Sequence, residues 1–440
     1  MADRYDVIAG GGLAGLTAAY AFQRAGSESW IVIERELRAG GHARSIEIGG
    51  YTFDYGPHIL FTTDASIEQL IRDLLESNLY EQERQAFIYH HQHGIYTRFP
   101  FQAHLHGLPV KLVQECLAGL VDAVALRARG DFSPNNYEEW MRGTFGNAIT
   151  ERLMIPYARK LWTVEPSTMD FDWIGRRVPT PDVSRILLGA LTDDVEQIGA
   201  TANFWYPLRG GIEALPAALA RRVTGLELGR TIDAIDIRRR VMTFADGDAL
   251  EFDRLVLTTP LHELPRLLGE AVPTRIARAC DRLAYQNILS VNLGVDRPRS
   301  SDMHWVYFYE DEFPFHRLSF PGAFSPHNVP EGKSSLSIEI ACPRGHDVDA
   351  DHLATQTVEA LRRASIIGAK DEVELVDTQF ISPAYVIYDL EHQRNVDSIV
   401  AWLAEHRVWC AGRFGSWGYL NMDHAMRSGM ATAETILAGG

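Results

Sequence analysis

The sequence predicts an α/β fold: a Rossmann-like dinucleotide-binding domain assembled from three chain segments, plus a helical insertion and an antiparallel β-sheet domain. Three observations predict it. A G-x-G-x-x-G turn, Gly10-Gly11-Gly12-Leu13-Ala14-Gly15, directly follows the apolar run Val7-Ile8-Ala9 and opens the Ala-rich stretch from Leu16 to Phe22. Sequence suited to the same kind of sheet returns near residue 255 and again near residue 408. The two stretches in between differ in texture, one with helical periodicity and the other with alternating, β-branched and aromatic runs.

Taken in order, the first segment covers residues 1–65. In the succession of strand, glycine turn and helix, one glycine makes the turn, one lets backbone N–H groups approach a pyrophosphate, and one lets helix pack on strand. Gly10, Gly12, Leu13, Ala14 and Gly15 are therefore candidate cofactor contacts. A second apolar strand, Trp30 to Ile33, ends at Glu34, about twenty residues on, where a carboxylate accepts ribose hydroxyls. The following run, Arg35 through Gly40-Gly41-His42-Ala43-Arg44-Ser45, resembles the second FAD signature of flavin amine oxidases. That resemblance favours FAD over NAD and adds Arg35, Gly41, His42 and Ala43 to the candidates.

Residues 66–203 read as a helical domain, with buried-face spacing in Ile67–Leu75, Lys111–Leu126, Tyr137–Phe145 and Ala148–Trp162. The second cofactor-domain segment, 204–275, holds a helix from Ile212 to Arg221 and a strand pair around Thr231–Ile237 and Arg240–Phe244. A turn at Asp246-Gly247 then leads to a buried parallel strand that leaves the sheet at Thr258-Thr259-Pro260. Ile232 and Thr259 are its candidate contacts. Residues 276–400 read as an antiparallel sheet roofing the cofactor, from Ile288–Leu293, Trp305–Tyr309, Arg317–Phe320 and Ser335–Ile340. The third segment, 401–440, places Gly412, Arg413, Asn421, Met422 and Asp423 around a strand end and a helix N-terminus, where unpaired N–H groups suit flavin O2 or pyrophosphate.

The chain's 440 residues are 46% apolar, enough for a large core. A net charge of −16 argues against nonspecific binding to nucleic acid or to anionic membranes. No apolar run reaches membrane-spanning length, and the first residues already form a strand, so a cytoplasmic location is expected. Cys116, Cys280, Cys342 and Cys410 are too dispersed for a disulfide framework and are expected to be reduced. His90, His91 and His93 lack zinc-ligand spacing, and no metal is expected.

The segment Phe53-Asp54-Tyr55-Gly56-Pro57-His58-Ile59 resembles the flavin-side histidine loop of UDP-galactopyranose mutases. Further matches follow in the same order: Arg98-Phe99-Pro100-Phe101-Gln102, Tyr157 to Trp162, Trp173 to Val178, Phe204 to Gly211, Pro314 to Arg317, and Gly412 to His424. Together they span nearly the whole chain, and the arrangement is closer to the eukaryotic-type branch. The sequence departs from the family at Pro57, where glycine or alanine is usual, at Pro181 and at Thr201.

The resemblance implies that the enzyme interconverts pyranose and furanose forms of a nucleotide sugar, UDP-galactose being the family default, through attack of reduced-flavin N5 on the anomeric carbon. It implies that Arg177, Arg317, Tyr385 and Tyr419 hold the substrate diphosphate, and that Tyr157 and Trp162 flank the base. It further implies that Gly56, Pro57 and His58 lie beside the flavin and that Arg413 lies near its polar edge. NAD(P)H is a candidate reductant, and homo-oligomerisation stays open. The rival reading keeps the fold and changes the reaction to that of a flavin oxidase or desaturase of the amine oxidase or protoporphyrinogen oxidase kind; amine oxidases often hold a lysine near N5 through water. Only Lys111, Lys160, Lys333 and Lys370 are present, none in an evident flavin-facing strand.

Overall fold

The computed structural model describes residues 5–175, 178, 180, 182–193 and 203–439; Arg177, Pro181 and Thr201 lie outside the described residues. Its α/β architecture is built on two seven-stranded sheets. In the first, Tyr5–Ala9 pairs in parallel with Trp30–Ile33 on one side and Ala249–Leu257 on the other, and Val408–Cys410 continues in parallel beyond Leu255–Leu257. Their central stretches, residues 7–9, 32–33 and 255–257, are apolar and buried, as a parallel sheet with helices packed on it requires. The early part of Ala249–Leu257 instead pairs antiparallel with Val241–Phe244, which pairs with Ile232–Asp236. Gly247, with φ +92°, makes the intervening turn.

The helix Leu13–Arg24 lies against the C-terminal helix Met422–Leu437, and glycine sets how closely. A Cβ on Gly429 would stand 2.0 Å from the Ala14 carbonyl oxygen. The Thr17 hydroxyl donates across the same contact to the Met426 carbonyl at 2.9 Å. The start and the end of the sequence thus meet in one packed helix pair.

The second sheet has Tyr285–Val295 near its centre, paired antiparallel with Ser334–Pro343 and with the 14-residue strand Val373–Val386. Arg317–Ser319 and Trp305–Tyr307 extend it. Along Tyr285–Val295 the faces alternate: Leu289, Val291 and Leu293 pack in one core with Ala354, Ala360 and Leu361 of the helix Ala350–Arg363, whereas the other face carries Ile288, Ser290 and Asn292.

Two regional readings need correction. The stretch 66–203 is not purely helical: it contributes Leu79–Glu83, and its strands Ala86–His90 and Ile95–Arg98 complete the second sheet beside Trp305–Tyr307. The run Ala-Phe-Ile-Tyr-His has no polar residue before its final histidine and is too short to separate strand from buried helix by period. Conversely, 276–400 holds the helices Ala350–Arg363 and His392–Ala404 besides its strands. The helix Tyr137–Phe145 falls where its spacing predicts, and the predicted helix Ala148–Trp162 forms with a wider π turn at Thr150–Met154.

Candidate active site

Three connected cavities run from the first sheet to the helical region. The first is a groove of about 310 Å³ over the C-terminal ends of the parallel strands. Its floor is glycine. Gly10 adopts φ +112°, and a Cβ there would stand 2.2 Å from the Thr258 hydroxyl. Gly41 lies so close to Gly12 that its Cβ would meet the Gly12 Cα at 3.2 Å, and the Gly40 N–H donates to the Gly11 carbonyl at 2.8 Å. The two glycine turns are therefore docked on each other, leaving the uncapped N-terminus of Leu13–Arg24 open to the groove.

Glu34 is held by the Gly11 N–H at 2.7 Å and the Glu36 N–H at 2.9 Å, one amide on each carboxylate oxygen, and keeps a further lone pair on each for ribose hydroxyls. Arg35, Gly41, His42, Ala43, Ile232, Thr259, Gly412, Arg413, Asn421 and Met422 line the same groove. The Thr259 hydroxyl is buried with no partner among the described residues, an orphan that a bound ligand would satisfy. An FAD cofactor fits this groove: amides for the pyrophosphate, a carboxylate for the ribose, and length enough to reach His58. Gly15 sits behind it, its absent Cβ allowing helix to touch turn, since that atom would stand 1.9 Å from the Gly10 carbonyl oxygen.

The second cavity is a chamber of about 540 Å³ that shares His42, Tyr55, His58, Arg413, Asn421 and Met422 with the groove. Gly56, Pro57 and Asp423, read as cofactor contacts, line the chamber and not the groove. His58 Nδ1 lies 2.6 Å from the Gly56 carbonyl, which fixes the ring edge-on to its own loop. Desolvation, then Arg413, pushes its pKa down to about 4, so the imidazole is neutral at physiological pH. Arg413 donates to the Leu420 carbonyl at 2.8 Å and the Ala384 carbonyl at 3.3 Å, and its guanidinium lies 5.6 Å from the Tyr385 ring and 5.5 Å from the Tyr419 ring.

Arg317 is the charged centre of the opposite, sheet-derived wall. Its Nε donates to Glu339 and its Nη2 donates to the Tyr385 hydroxyl at 3.2 Å. Glu339 is only 2% exposed. Burial works against the Arg317 charge, but Glu339 and Tyr385 outweigh it and raise its pKa above the ordinary arginine value. Glu339 is the site residue that sequence reasoning missed. Its signal was a lone acid in the apolar run Ser335-Leu336-Ser337-Ile338-Glu339-Ile340, and strand register sets it beside Arg317.

The third cavity, about 220 Å³, shares Phe99, Tyr307, Arg317, Tyr385 and Tyr419 with the chamber. Its walls are aromatic: Tyr157 and Trp162 line it with Phe101, Tyr137 and Trp173. Trp162 packs edge-on to Trp173 at 5.1 Å and to Tyr419 at 5.9 Å. A flat, weakly polar ring fits such walls.

The Flavin containing amine oxidoreductase profile matches residues 13–437. The chain belongs to this family. Among its flavin amine oxidoreductase relatives, the coproporphyrinogen III oxidase of Mycobacterium leprae (strain TN) is 26% identical over 323 residues, covering 68% of each chain. The enzyme of the same name from Mycobacterium bovis is 27% identical over 304 residues, and the chain spans 64% of its length. A solved structure of reduced UDP-galactopyranose mutase matches 100% of this chain and 95% of its own, with a TM-score of 0.93 and 26% identity. This member of the family is thus similar to UDP-galactopyranose mutase in fold over its whole length. No described helix is long and apolar enough to cross a membrane.

Proposed function

We propose that this protein is an FAD-dependent nucleotide-sugar mutase that interconverts pyranose and furanose forms, with UDP-galactopyranose and UDP-galactofuranose as the reference pair. The whole-chain likeness to reduced UDP-galactopyranose mutase carries this reading. The chamber and the aromatic cavity beyond the cofactor groove support it, because a nucleotide sugar needs donors for its diphosphate and aromatic faces for its base. Bound and reduced, FAD would supply a nucleophilic N5 to the anomeric carbon, with no net oxidation of the sugar.

The protein's own share is placement and charge. Arg317, oriented by Glu339, meets the diphosphate and stabilises it as the anomeric bond breaks, with Tyr385 and Tyr419 as neutral hydroxyl donors. Arg177 joins them on the resemblance alone. Burial pushes the Tyr385 phenol above its usual range, which keeps it a donor. Neutral His58 holds the loop edge beside the flavin without adding charge. Arg413 favours an anionic reduced flavin. Tyr157 and Trp162 flank the base, and NAD(P)H is the proposed electron source in a cytoplasmic setting.

A second reading, an FAD-dependent oxidase or desaturase, is favoured by the names of the sequence relatives. Against it, the four lysines line neither the groove nor the chamber, and the chamber wall is built to hold an anion. The two readings separate by anaerobic mixing of oxidised holoenzyme with coproporphyrinogen III, amines or UDP-galactopyranose. The mutase keeps its oxidised flavin spectrum with all three; rapid bleaching by coproporphyrinogen or an amine would move the protein to the oxidases.

A further inference from the structure

We propose that Asp423 reads the sugar: its carboxylate accepts hydrogen bonds from sugar hydroxyls of the bound nucleotide sugar. This deepens the function proposed above and rests on it.

Asp423 occupies the first turn of Met422–Leu437, where an acid is favoured by the helix dipole whatever else it does. Three observations go beyond that. Asn421 holds the N-cap position, without a side-chain capping bond, and Asp423 lies inside the helix rather than at its cap. The side chain is 7% exposed, yet Oδ1 has no hydrogen-bond donor among the described residues, and His424 Nδ1 stands 3.6 Å away, beyond hydrogen-bond reach. Finally, Asp423 lines the chamber alone, whereas its neighbours Asn421 and Met422 line both chamber and groove. A buried carboxylate oxygen without a donor is costly, and a ligand that supplies O–H groups removes the cost.

The chemistry of the ligand follows. A carboxylate repels a diphosphate and forms strong, charge-assisted bonds with hydroxyls. In this chamber the diphosphate has Arg317, Tyr385 and Tyr419 on the wall formed by the second sheet and the Tyr419 loop. The neutral, hydroxyl-bearing part of the same ligand then faces the terminal helix. Asp423 thereby orients the sugar end for end, and a ligand lacking the sugar has no use for it. His424 lines the chamber beside it.

The test compares two probes, UDP and UDP-galactopyranose, titrated against FAD-loaded wild type and Asp423→Asn by calorimetry, with FAD content measured in each. The substitution keeps shape and removes the negative acceptor. The expected result is at least a tenfold weaker Kd for UDP-galactopyranose, with UDP unchanged within twofold and FAD retained. Equal weakening of both probes, or of neither, overturns the proposal, as does loss of FAD from a folded Asp423→Asn protein, which would return the residue to the cofactor. Asp423→Ser provides the same comparison if Asp423→Asn does not fold. A wild type that binds neither probe overturns the nucleotide-sugar reading and this inference with it. A wild type that binds both, with Asp423→Asn indistinguishable, overturns the inference alone.

Discussion

The cofactor groove and the substrate chamber are built in opposite ways. The groove is made by backbone: glycines at 10, 12, 41 and 412 clear space, and amides and one carboxylate face it. The chamber is made by side chains delivered from distant segments, with Arg317 and Glu339 on neighbouring strands, Tyr385 on a third, His58 on a loop and Asp423 on the last helix. Backbone geometry dictates residue type strictly, because few residues substitute for glycine at positive φ. Side-chain walls tolerate change, so one scaffold can serve relatives named for different reactions.

Arg317→Ala should break the chamber and spare the groove. Mutase kcat/KM should fall roughly 10²–10³-fold with FAD content unchanged, as for other lost transition-state donors. Removal of FAD together with activity would mean that the two regions are not separable in this way.

The histidines sharpen the comparison through pH. His58 at about 4 and His42 at about 3 are both lowered, first by desolvation. The unfolded chain takes up their protons below about pH 6.5 while the folded chain does not. Stability is therefore full above pH 6.5 and falls as pH drops toward 4, by about 1.4 kcal/mol per pH unit for each such histidine. Asp54, raised to about 6 by burial, acts in the opposite sense, since its folded form takes up a proton first. His58→Asn should flatten the acid limb of a urea-denaturation series; an unchanged limb would contradict a half-buried, neutral His58.

Gly15→Val attacks the groove from behind. Its Cβ would overlap the Gly10 carbonyl oxygen, so a loss of about 1–3 kcal/mol and poor FAD retention are expected, measured as Tm and flavin absorbance. Full FAD occupancy would show the glycine turn to be more pliable than the packing implies. Tyr385→Phe is the mildest probe: one hydroxyl donor lost, about 1 kcal/mol, or a five- to tenfold drop in kcat/KM, with Arg317 still held by Glu339.

The same contrast explains what could be read in advance. The glycine turns, Glu34 and the strand leaving at Pro260 are local signals, and they mark the groove before any fold is known. The family resemblance points to His58, Arg317, Tyr385 and Tyr419, and all four line one chamber. Glu339 escaped because its meaning depends on strand register with Arg317, a relation between residues 22 positions apart that no local pattern encodes. The strand Ala86–His90 escaped for a related reason: its sheet partner, Trp305–Tyr307, lies some two hundred residues away, and Ile95–Arg98 joins the sheet through Ala86–His90. Arg177 lies outside the described residues, and its role stands on resemblance alone.

The most direct measurement is product analysis. Holoenzyme is incubated with UDP-galactofuranose, once with oxidised and once with dithionite-reduced FAD, and ring isomers are separated by chromatography. The account predicts conversion to UDP-galactopyranose only with the reduced enzyme. Equal conversion in both states, or none in either from a protein that binds UDP-galactose, would contradict it.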